Sequence, residues 1–263
     1  MEPMPVPEPA DRPMGILAEP NPDRALQATL DGVVYARHPV RTHLVTAADD
    51  AVEVARRYAA PLGSDVAFAA VSERMVAITQ GRSYPMSSIR PGRLARLLVR
   101  FVTRPGYGIG LGTPETMQLA ISEVGAMRVL LAAAVSGVTK PFGVHGLFYR
   151  IAGPQAAAID GPTAYTIAPY NHAATLGPRD PGDAARRMAE ALGTPVAVID
   201  ANDAGCHVLG LSPGLARRQV ERLFADNPLG QASEQTPICV VRRVDWPAGE
   251  PLPPEPRRRI TPP

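Results

Sequence analysis

Proline marks off how much of this chain can fold. Its densest runs stand at the two ends, in "MEPMPVPEPADRPMGILAEPNP" and "WPAGEPLPPEPRRRITPP". Proline fixes φ and offers no backbone N–H, so such runs extend as polyproline and build no hydrogen-bonded core. Residues 1–26 and 247–263 are therefore expected to be tails, either plain linkers or docking peptides for a proline-binding partner. Residues 27–246 are expected to hold the folded domain.

Within that span the hydrophobic period switches repeatedly between helix and strand. "DDAVEVARRYAAPLG" has apolar residues at helical spacing, with Asp49 or Asp50 able to cap it and Gly63 beyond its end. "THLVTA" before it, "DVAFAAVS" after it and "RMVAITQG" further on read as strands. "PGRLARLLVRFVTRPG" reads as an amphipathic helix, with Leu94, Leu97, Leu98 and Phe101 inward and Arg93, Arg96 and Arg100 on the other face. That basic stripe is either a solvated face or a weak phosphate attractor. "RVLLAAAV" reads as buried and helical, and "DPGDAARRMAEALG" as a helix closed by Gly193. "TPVAVIDANDAG" is a strand, "SPGLARRQVERLFADNPLG" a helix and "QTPICVVRRV" a final strand. The pattern is mixed α/β: mixed sheets with flanking helices, and no regular doubly wound order.

Composition removes several functions. A net charge of +2 gives no general reason to bind nucleic acid. Cys206 and Cys239 make no disulfide framework and no zinc spacing, and the five histidines are scattered. The N-terminus is acidic and proline-rich, unlike a signal peptide. The longest apolar stretch, "VLLAAAVSGV", is about half of what a bilayer span needs. A reduced, cytoplasmic setting without membrane or nucleic-acid partners is the expectation.

Three segments carry chemistry-bearing residues. In "PGYGIGLGTPETMQ", four glycines precede a Thr113 cap and Pro114. Such a loop can offer N–H groups to an anion, but it lacks a Walker lysine and a dinucleotide spacing. In "VAVIDANDAG", a branched apolar strand runs into Asp200, Asn202 and Asp203. Oxygen ligands at a strand end suit a hard cation, and the same residues suit an Asx turn. "NPLGQASEQTPICVV" sets Gly230, Gln231, Ser233, Glu234 and Thr236 before a core strand, either a ligand loop or a plain one. Cys206-His207 fails as a nucleophile and base, because neighbours on a strand face opposite ways. His145 and His172 are candidate base and pocket residues, and Tyr165 and Tyr170 are packing residues.

Taken in order, "SERMVAITQGR", "HGLFYRIAG", "LGPRDPGDAARRMAEALGTPVAVIDANDAG" and "GQASEQTPICVVR" resemble segments of the coenzyme F-420 γ-glutamyl ligases. The matching order and spacing cover most of residues 40 to 243, which marks the chain as similar to a divergent member. The resemblance implies the γ-glutamyl ligase-like fold, an early strand ending in glycine-arginine, and a homodimer. It implies amide formation between a carboxylate and an amine such as L-glutamate, driven by GTP or ATP with Mg2+ or Mn2+. By the same resemblance the metal ligands are Asp200, Asn202, Asp203 and Gln231, with Asp160 as a substitute ligand. The nucleotide lies along Leu229, Gly230, Gln231, Ala232, Ser233, Glu234, Gln235 and Thr236. Asp200, Asp203 and Arg150 are the implied catalytic set, with Arg82 or Arg150 for an acidic substrate. The chain departs from the family at Gln155 and Ala158, where an aspartate ligand and an asparagine are expected, and at Ile78, in place of a lysine. It reads "DANDAG" for serine-aspartate-threonine. A relative that binds without catalysis, or a ligase of another pathway with a different acid or amine, are the alternatives.

Overall fold

The computed structural model describes residues 13–60, 66–101, 110–139 and 146–244. Gly63, Gly106, Gly108, His145, residues 1–12 and residues 245–263 lie outside the described residues. The chain divides into two compact units: residues 80–179 form a helical unit, and the segments on either side form a sheet unit.

The sheet unit begins inside the expected tail. β1 (Gly15–Ile16) pairs with the far end of β3 (Val33–Arg41), and β2 (Gln27–Leu30) pairs with its start. Asp31 and Gly32, at φ 50° and 82°, turn β2 into β3. An Asp-Gly pair supplies the left-handed geometry that a two-residue hairpin requires. The sequence carries that hairpin signal in "TLDGVV". α1 (Ala51–Ala59) follows, capped as expected by Asp50, whose carboxylate accepts from Val52 and Glu53 N–H. β4 (Val66–Ser72) and α2 (Glu73–Thr79) close this half.

Three expectations fail here. Residues 42–47 form no strand; Asp49 accepts from the Thr46 N–H and hydroxyl, which folds that stretch into a turn. "RMVAITQG" is the helix α2 with its flank, not a strand, and this also departs from the early strand of the resemblance. Met75, Val76, Ala77 and Ile78 are all buried, so the run carries no period that separates strand from helix. Finally, residues 15–26 are part of the sheet unit. Leu17 is buried and donates its N–H to Pro39 O, and Asn21 is 1% exposed.

The helical unit opens with β5 (Ser83–Pro85) and α3 (Arg93–Leu98), which tightens into a 3-10 turn through Phe101. Ala95 and Leu98 are buried and Leu94 packs partly buried against the same core, as expected; Leu97, also expected inside, is 50% exposed. The side chain of Phe101 lies outside the described residues. α4 (Pro114–Val124) starts at a Thr113–Thr116 capping box with Pro114 in the first position. α5 (Ala126–Thr139), α6 (Leu147–Ala152), α7 (Pro154–Ala157) and β6 (Ala173–Thr175) complete the unit, with β5 and β6 paired antiparallel. Its core joins Ala95 and Leu98 to Met117, Ala120, Val129, Ala132 and Phe148.

The chain returns through α8 (Pro181–Leu192), ended by Gly193 in the left-handed region, then β7 (Val196–Asn202), β8 (Gly205–Leu211), α9 (Arg217–Leu223) and β9 (Ile238–Val244). The sheet order is β1-β3-β9-β4-β7-β8, with β2 also on β3. β4 and β7 run parallel and the other pairs antiparallel, so the sheet is mixed. β9 lies in its middle, and Ile238 to Val241 are fully buried. Phe68, Ile199, Cys239 and Val241 meet Val220, Leu223 and Phe224 of the α9 region on one face. On the other, Val198 pairs with Gly210, and a Cβ at Gly210 would stand 2.1 Å from Pro181 O, so glycine lets α8 approach. Among the described residues no single helix is long and apolar enough to cross a membrane.

Candidate functional site

β7 does not open into a crevice at its end. It reverses through Asp203-Ala204 into β8, with Asn202 opposite Gly205 and Asp200 opposite His207. Asn202 Oδ1 accepts the Ala204 N–H at 2.9 Å, which is an Asx turn. Asn202 Nδ2 donates to Asp200 Oδ1 at 3.3 Å. Two of the three oxygen-bearing side chains thus shape the hairpin as well as crowning it.

The hairpin tip meets the polar loop. Gln231, 28 residues further along, accepts the Asp203 N–H through Oε1 at 3.0 Å. The loop itself is tightly closed. Asn227 Nδ2 donates to Gly230 O, and Gly230 N–H to Asn227 O. Gly230 sits at φ 79° with the Glu234 carboxylate folded against it, and a Cβ there would be 2.7 Å from Glu234 Cδ. Glu234 Oε2 accepts the Ala232 N–H at 2.7 Å, and the Thr236 hydroxyl donates to Leu229 O at 2.7 Å. Leu229, Ser233 and Thr236 are buried. Gln235, at φ 56°, offers its carbonyl to Thr42 N–H. The turn is closed by these internal hydrogen bonds.

The N-terminal segment straps both elements. Asn21 Nδ2 donates to Pro228 O at 3.0 Å and to Thr236 Oγ1 at 2.8 Å. Arg24 reaches Asp203 Oδ1 at 2.7 Å and Asp226 O at 3.1 Å. Beneath them Arg37, 1% exposed, donates to Leu223 O at 2.6 Å and Ala25 O at 2.8 Å and forks onto the Asp226 carboxylate. Asn21, Arg24 and Arg37 were missed in the sequence because the first two lie in a segment read as tail and the third in one left unassigned. The local signals are Ile16-Leu17, an apolar pair among prolines, and the Asp31-Gly32 turn that leads into the strand of Arg37.

The metal question turns on the donor set. Asp200 and Asp203 supply carboxylates, but the amide oxygens of Asn202 and Gln231 already accept backbone N–H groups, and Arg24 holds Asp203. Among the described residues no three His, Cys, Asp or Glu side chains group as metal ligands do. As arranged, these residues do not form a cradle for a resident ion. Asp160 belongs to the helical unit, where its backbone pairs with Thr175, and Arg150 is exposed on α6 of that unit. Arg82 is buried, bonded to Gly177 O at 2.7 Å and Glu123 at 2.6 Å, which removes it as a substrate ligand. Ile78 is in the core. Gln155 and His172 are exposed, and Tyr165 is 42% exposed and so is not a packing residue.

Neither thiol is activated. Burial, then the charges of Asp200 and Glu221, push Cys206 up to about 12. Burial pushes Cys239 up to about 12 as well, with Arg37 opposing and Asp226 adding. A thiol so shifted stays protonated at neutral pH and is a poor nucleophile. No protein-family model and no curated protein matches the chain.

Proposed function

We propose that the chain is a nucleotide-dependent ligase that joins a carboxylate to an amino-acid amine in a γ-glutamyl ligase-like fold. One observation supports this reading above the rest: the two segments that the resemblance assigns to one reaction are hydrogen-bonded, from Asp203 N–H to Gln231 Oε1 at 3.0 Å. A carboxylate oxygen of the acid attacks the terminal phosphorus of GTP or ATP, and the nucleoside diphosphate leaves. The amine nitrogen then attacks the acyl carbon, phosphate leaves, and the amine proton is lost. Mg2+ or Mn2+ enters as part of the substrate, bound to the triphosphate it neutralises. In this reading the loop from Leu229 to Thr236 would contact the nucleotide, and Asp200 and Asp203 are the carboxylates that would meet its ion, with Arg24 competing for Asp203. L-glutamate is the first amine to test, in a cytoplasmic homodimer.

The Arg24–Asp203 pair and the closed Glu234 turn favour a second reading, a relative that binds nucleotide without turnover. Thermal shift with GTP or ATP and either metal, followed by phosphate release over a panel of acids and amines, tests both. A shift with substrate-dependent phosphate release upholds the ligase. A shift without release at any substrate pair upholds the second reading. No shift with either nucleotide at millimolar metal removes both.

A further inference from the structure

Charge is divided very unevenly between the two units. Residues 80–179 carry ten Arg and Lys against three Asp and Glu, a formal net of +7; the rest of the chain has 17 against 22, a net of −5. In the sheet unit exposed arginines meet carboxylates, as in Arg186 with Asp183 and Glu190, and Arg222 with Asp31. In the helical unit Arg90, Arg93, Arg96 and Arg100 are all exposed, and none has an acidic partner among the described residues. Three of them recur at i, i+3 and i+7 along α3 and its 3-10 extension, with Leu97 exposed between them.

The same unit exposes a second feature. α5 buries Val129, Ala132 and Ala133 in the core that also takes Ala95 and Leu98 of α3. Its outward side is apolar too: Met127 is 80%, Leu131 58% and Val138 68% exposed, at i, i+4 and i+11. A helix apolar on both sides with one side bare marks a docking surface. A second copy of this unit would bring like charge to the contact, which opposes pairing. An anionic surface suits both features, because adsorption there scales with apolar area inserted plus attraction of basic side chains to lipid phosphates.

We propose that the helical unit docks peripherally on an anionic lipid surface, the α5 stripe entering the interface and the α3 guanidiniums facing lipid phosphates. No span is involved, and among the described residues no single helix is long and apolar enough to be one. Docking is independent of the ligase reading and survives its failure.

The test is co-sedimentation of the intact protein with vesicles of phosphatidylglycerol and phosphatidylcholine, against phosphatidylcholine alone. Binding to the anionic vesicles is expected to exceed the control and to fall at 0.5 M NaCl, where screening shortens the reach of each charge. Each guanidinium near such a surface is worth a factor of roughly five in partition, so Arg93→Ser with Arg96→Ser and Arg100→Ser lowers it roughly a hundredfold. The corresponding triple change to Lys retains binding. Leu131→Asp, at an exposed position, weakens binding while the melting temperature holds, and it carries the test if the triple serine variant does not fold. Equal binding to both vesicle types, or binding indifferent to salt, overturns the proposal. So does a Leu131→Asp variant that turns a dimer into a monomer with vesicle binding intact, since the stripe is then an interface between copies. Displacement from anionic vesicles by a short single-stranded oligonucleotide at equal phosphate overturns it in favour of nucleic acid.

Discussion

Asp203→Ala is expected to destabilise the ligand-free protein, although the acidic strand end by itself suggests the opposite. Read locally, Asp200 and Asp203 crowd acceptor oxygens, and removing one carboxylate would relieve repulsion. In the fold, Arg24 from 179 residues away donates to Asp203 Oδ1 at 2.7 Å. The side chains are 20% and 56% exposed, so solvent screens the pair and its worth is about 0.5–1 kcal/mol. Arg24→Ala loses that and a donor to Asp226 O, about 1–2 kcal/mol together. The double variant should then be less destabilised than the sum of the two by about 0.5–1 kcal/mol. Urea unfolding followed by circular dichroism reads all four corners of the cycle. The pair has a second consequence under the ligase reading. If Arg24 and the nucleotide's ion compete for Asp203, Arg24→Ala tightens metal–nucleotide binding by the same factor, about two- to fivefold. A coupling of zero, or an Asp203→Ala protein more stable than its parent, refutes the argument.

Asn21→Ala leaves Pro228 O and the Thr236 hydroxyl without their donor in a buried setting, for a loss of about 2 kcal/mol; deletion through residue 26 should be far worse than deletion through residue 12, and equal melting temperatures would unseat the strap. Arg37→Met strands the carbonyls of Leu223 and Ala25 and frees Asp226, at a cost of about 3 kcal/mol by chemical denaturation. Cys206 in the folded protein should react with iodoacetamide at pH 8 far more slowly than in the unfolded chain, because burial pushes its thiol up to about 12. The Thr46 N–H first, with help from His43 and the Thr46 hydroxyl, holds the Asp49 carboxyl below its ordinary 3.8, against burial. That contribution is complete above 3.8 and drains as pH falls through the lowered value, so the stability gap between wild type and Asp49→Asn closes below pH 3.8; a gap that widens in acid contradicts the assignment.

What the sequence determined by itself is what the backbone decides within a few residues. Asp50 and Thr113 cap α1 and α4, Gly193 ends α8, and the branched run before Asp200 makes β7, because each depends on neighbours at one to four positions. The mixed α/β class follows from those periods. The tertiary structure alone decided the rest. "RMVAIT" has no period, since every face of α2 is buried, and a continuous apolar run fits a helix as well as a strand. Proline content made residues 15–26 look like a tail, yet Leu17 and Asn21 bury themselves against strands and loops some 20 to 215 residues away, contacts that composition cannot register. The candidate site divides in the same way. That Asp200, Asn202 and Asp203 stand at a strand end was legible; that Asn202 caps the turn, Gln231 meets the tip and Arg24 occupies Asp203 was not, because hydrogen-bond partners are assigned by the packing of distant segments.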